Sequence, residues 1–136
     1  MTGRQHESRD LFRLMVREFR LWQSLLRLAG EERRLLADGD VSGLIELAQR
    51  KNEALSHLDD CHQQRSEIAP DLAVSPAHNP AGREEIHTIS DLPEDEALRL
   101  SRIMKGIRTL AWQVGELTQG NYALADCSTR RLWSIQ

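Results

Sequence analysis

One cluster in this 136-residue chain sets metal-binding side chains at helical spacing: His57, Cys61 and His62, with His57 and Cys61 spaced i, i+4. Zinc needs three or four converging ligands, and Cys61 already falls on an apolar repeat, so no metal site is expected. Di-iron bundles use inward Glu-x-x-His pairs, and Glu53 to His57 has the wrong spacing. The acidic run from Asp91 to Glu96 reads as a helix N-terminus complementing its dipole rather than as a catalytic pair. No glycine-rich phosphate loop, GxSxG, HExxH or CxxC occurs, so neither catalysis nor a cofactor is expected.

The elements that would carry any function are helices. Aromatics are only 4% of the chain, and Leu, Arg, Glu and Ala dominate, residues that lose little freedom in a helical turn. The predicted fold class is therefore all-α, one domain over 1–136. No run of apolar residues is long enough to cross a bilayer and the first ten residues lack a signal-peptide core, so a cytoplasmic protein without membrane insertion is expected. Cys61 and Cys127 are too few for a disulfide framework and are expected to be small buried thiols. The net charge of −3 gives no reason to expect nucleic acid as the partner. Its distribution is uneven: residues 1–36 hold 8 basic and 5 acidic side chains, 37–98 hold 4 and 14, and 99–136 hold 6 and 2. An antiparallel fold would set these opposite signs against each other.

Apolar residues follow a 3-4 spacing through Phe12, Met15, Phe19, Trp22, Leu26, Ala29 and Leu36, broken at Arg33. Leu14, Leu21, Leu25, Leu28 and Leu35 form a second stripe, which predicts a helix with two neighbours. Helix 1 is expected over about 8–37, with Ser8 as its N-cap. Asp38-Gly39-Asp40 supplies a left-handed C′ glycine and an N-cap for the next helix, making helices 1 and 2 antiparallel neighbours. Helix 2, about 41–68, carries Leu44, Leu47, Ala54, Leu58, Cys61 and Ile68 on its seam, with Lys51 and Arg65 read as snorkelling interruptions. Pro70, Pro76, Pro80 and Gly82 then predict a mobile linker at about 70–90 that fixes no topology. Helix 3 is expected at about 92–133, and the whole as an elongated helical hairpin plus a long third helix, bundle-like or coiled-coil-like.

The second half of helix 3 is an unusual core helix. Gly106, Gly115 and Gly120 lie in its interior, Asn121 and Ser128 occupy seam positions, and Trp112, Tyr122 and Trp133 are half of the chain's aromatics. Two readings follow: close helix approach with a tryptophan-filled core, or a loosened segment that orders on a partner. The second predicts a partner-binding face of Ile107, Leu110, Val114, Leu117, Leu124 and Leu132, with Trp112, Tyr122 and Trp133 as anchors and Asn121 beside them.

Leu35-Leu36-Ala37-Asp38-Gly39-Asp40 followed by Leu44-Ile45-Glu46-Leu47, with Lys51 and Leu55 after it and Asn121, Leu124 and Ser128 near the end, resembles the FlgN family of flagellar export chaperones of type III secretion. The resemblance implies a cytoplasmic chaperone that binds the helical C-terminal segments of hook-associated, filament-junction proteins before export. It also implies docking at the export gate, with the family's C-terminal aromatic falling on Tyr122. Its alternatives are a structural bundle subunit forming a homo-oligomer through the long seams, and a regulatory adaptor that uses its basic ends.

Overall fold

The computed structural model describes residues 3–69 and 92–134, and these form three helices. They are α1, Gly3–Asp38; α2, Val41–Ile68; and α3, Glu94–Ser134. The expected linker at 70–90 lies outside the described residues. α1 starts earlier than expected: Ser8 is inside the helix and does not cap it. The straight-chain residues Arg4, Gln5 and Glu7 carry the helix upstream because nothing there breaks it.

The α1–α2 turn follows from its residues. Gly39 takes φ +69, a left-handed conformation open to glycine at little cost. The Gly39 amide donates to Leu36 O at 3.3 Å and the Asp40 amide to Leu35 O at 3.0 Å, the paired bonds of a Schellman ending. Asp40 then caps α2, its Oδ1 accepting from the Gly43 amide at 2.9 Å. At the other end of the bundle α3 begins on Pro93, whose carbonyl accepts from the Ala97 amide, and Glu94, Asp95 and Glu96 fill its first turn.

α1 is the middle helix. α2 and α3 each lie along it, and their backbones do not approach one another. The two apolar stripes of α1 explain this. Met15 and Leu11, with Phe19 and Trp22, join Leu100, Met104 and Ile107 of α3 in one cluster. Leu25 and Leu28, with Leu21 and Leu35, join Leu47, Ala54 and Leu58 of α2 in the other. Each buried aliphatic side chain contributes about 1.5–3 kcal/mol.

Topology is up-down-up. Glu31 meets Arg50 and Glu18 meets His62, so α2 runs antiparallel to α1. Phe19 lies against Gly106 and Ala29 against Asn121, so α3 runs parallel to α1. Ala69 at the end of α2 packs in the cluster of Leu11 and Leu100, near the start of α3. The last turns of α3 run beyond the α1–α2 turn, because Gly120 is level with Arg33 while α1 stops at Asp38.

Candidate partner-binding surface

The expected face on α3 divides between two sides of the helix. Ile107 is completely buried, Val114 packs against the Leu25–Leu47 cluster, and Asn121 is 2% exposed; all three serve the contact with α1. Leu110, Leu117 and Leu124 are half-buried. Trp112 and Tyr122 point the other way, at 67% and 79% exposure. The side chains of Leu132 and Trp133 lie outside the described residues. The glycines divide similarly. A Cβ on Gly106 would stand 2.7 Å from Phe19 Cε2, so this glycine lets α3 approach α1, whereas Gly115 has open space beside it.

The polar residues buried between the helices are placed by charge pairing. Glu18 is 1% exposed; its Oε2 accepts from Arg65 Nη1 at 2.8 Å and its Oε1 lies 2.7 Å from His62 Nε2. Arg65 therefore does not snorkel: it is 3% exposed and held inside by Glu18. Its Nη1 also contacts Met15 Sδ at 3.7 Å. Lys51 keeps more solvent and reaches Glu32 Oε2 at 3.1 Å. The other oxygen of Glu32 accepts from Asn121 Nδ2 at 3.0 Å, and the same amide nitrogen donates to Ala29 O at 2.9 Å. One carboxylate on α1 thus ties α2 and α3 at a single level.

These pairs reverse the expected charge matching. Where α1 and α2 meet, the acids come from the basic segment (Glu18, Glu31, Glu32) and the bases from the acidic one (Arg50, Lys51, His62, Arg65). The majority charges of both helices are left outside. Sequence reasoning missed Glu18, although its position one turn from Leu14 and just before Leu21 puts an acid on an apolar stripe. That signal, set beside Arg65 on the facing seam, identifies the pair.

Cys61 is buried and its thiol is pushed up from the ordinary value of 9.0, first by desolvation. Cys127 is exposed, contrary to the expectation that both thiols are buried, because it lies on the side of α3 away from α1. No cluster of three or more metal-binding side chains exists among the described residues. No helix among them is long and apolar enough to cross a membrane.

Among the described residues, the exposed large apolar side chains are Val41, Ile45 and Leu55 on α2 and Leu98, Trp112 and Tyr122 on α3. None of these belongs to α1, and the backbones of the two helices that carry them do not approach one another. Exposed apolar side chains of this size are of the kind that partner surfaces use.

The family model described as FlgN protein matches residues 1–131, nearly the whole chain. No curated protein and no solved structure matches it. The chain belongs to the FlgN family, which is associated with flagellar export chaperones rather than with enzymes.

Proposed function

We propose that this FlgN-family chain is a cytoplasmic export chaperone that holds the helical C-terminal segments of hook-filament junction proteins and delivers them to the export gate. The observation that carries the reading is the exposure of Trp112 and Tyr122 on a helix whose other face is committed to α1. Large rings with an apolar body and a polar tip are what binding surfaces use as anchors. A chaperone of this kind covers an apolar helix that would otherwise self-associate, and releases it again. It needs a surface large enough to bind and loose enough to let go. The anchors here are Trp112 and Tyr122 with the exposed apolar residues of α2. Ile107, Val114 and Asn121 act from beneath by fixing α3 on α1.

The test is the affinity of the full chain for a C-terminal peptide of a junction protein. Trp112→Ser combined with Tyr122→Ser leaves the fold intact, since neither ring is in the core, and lowers affinity by about tenfold or more. Trp112 emission shifts to the blue as its ring leaves water. Unchanged affinity in the double variant, with helix content preserved, overturns the reading.

A further inference from the structure

The charges left outside the hairpin are ordered. Arg13, Arg20, Arg27 and Arg34 repeat every seven residues along α1, and Glu46, Glu53, Asp60 and Glu67 repeat every seven along α2. All eight side chains are exposed. None is in a salt bridge among the described residues, whereas Glu18, Glu31 and Glu32 of α1 and Arg50, Lys51 and Arg65 of α2 are paired. Arg27 and Glu53 line one groove between α1 and α2, floored by Leu21, Leu28 and Ala54, which brings the two rails to the same face of the hairpin.

The rails are also level with each other. In the register that sets Glu31 against Arg50 and Glu18 against His62, Arg13 is level with Glu67, Arg20 with Asp60, Arg27 with Glu53 and Arg34 with Glu46. A two-fold axis parallel to the helices would lay α1 of one copy antiparallel on α2 of another. Each arginine then faces its level acid across the interface, every pairing occurs twice, and the leucine-floored grooves close over each other. We infer that the face of the α1–α2 hairpin carrying these rails is a self-complementary surface on which a second copy of this chain docks.

Other occupants fit less well. A membrane-binding face needs cations without a level row of acids beside them, and here Glu46, Glu53, Asp60 and Glu67 run alongside the arginines. A nucleic acid would meet the acidic rail beside the basic one. Heptad spacing of both signs matches what this hairpin itself presents. Exposed ion pairs are individually weak and the groove floor is small, so the association is modest and sensitive to salt. It does not use Trp112 or Tyr122 and stands independently of the chaperone reading.

Sedimentation velocity of the full chain at about 100 µM tests it in about 20 mM and about 500 mM NaCl. The expected result is a two-chain species at low salt and a single chain at high salt. Arg20→Glu with Arg27→Glu makes the two central levels of both rails acidic, and Glu53→Arg with Asp60→Arg makes those levels basic, while the outer pairs stay as they are. Each variant alone stays single, a one-to-one mixture of the two associates, and the fourfold variant, with the central charges exchanged between the rails, pairs with itself again. Circular dichroism reports that each is folded. A wild-type chain that stays single at low salt, variants that pair as the wild type does, or a mixture that fails to associate overturns the inference. Pairing that survives high salt does the same. Trp112→Ser with Tyr122→Ser leaves pairing unchanged, so failure here and failure of the client-binding reading are seen separately.

Discussion

Replacing Glu18 with methionine removes the acceptor from a guanidinium that the fold keeps out of water. Arg65 and Glu18 are 3% and 1% exposed and approach to 2.8 Å. At an effective dielectric of about 20, that separation gives roughly 6 kcal/mol of attraction. Desolvating each ion costs several kcal/mol, so the intact pair is close to neutral while a broken one is expensive. Glu18→Met strands Arg65 and also deprives His62 of its carboxylate, so the expected loss is about 3–5 kcal/mol. For a chain of this length, with about 4 °C per kcal/mol, the melting midpoint falls by about 12–20 °C. Arg65→Met leaves Glu18 with His62 as a neighbour and costs less than Glu18→Met. The double variant, with an apolar pair of similar volume, returns to within about 1 kcal/mol of the wild type. Urea and thermal unfolding followed at 222 nm measure all three. A single Glu18→Met loss below about 1 kcal/mol, or a double variant no better than the worse single, refutes the reasoning.

Gly106→Ala forces a Cβ against Phe19 and lowers stability by about 1–3 kcal/mol, whereas Gly115→Ala, with open space and higher helix propensity, raises it by about 1 kcal/mol; denaturant midpoints compare them. Ellman's reagent at pH 8 labels Cys127 rapidly in the native chain, while Cys61, buried and with its thiolate disfavoured, reacts only on unfolding; two fast thiols would contradict this burial. The raised Cys61 value also sets a sign: its contribution to stability is complete below about pH 9 and declines as pH rises through the folded-state value, a slope that Cys61→Ala removes in unfolding curves.

Much of the architecture is legible because helices advertise their neighbours locally. The two stripes of α1 name a helix with two partners, and Asp38-Gly39-Asp40 names the turn and the cap, since Gly39 φ and the Asp40 bond depend on residues within a few positions. The proposed surface on α3 was legible only in part. A 3-4 repeat locates Ile107, Val114 and Asn121 on one side, but the same repeat is written by a core seam and by a docking face. Trp112 and Tyr122 lie off that repeat, and their exposure depends on where α1 sits.

The family, the three helices and the α1–α2 hairpin follow from the order of residues alone, because each rests on short-range spacing and backbone preference. Whether α3 runs with or against α1 depends on packing between residues far apart in the chain, Phe19 on Gly106 and Asn121 on Ala29, and a long connection permits either direction. The fate of each charge was likewise decided in three dimensions. Composition counts Arg65 and Arg20 as equal cations; the register buries one against Glu18 and leaves the other on an unpaired rail, because low dielectric tolerates a charge only where its opposite is already in place.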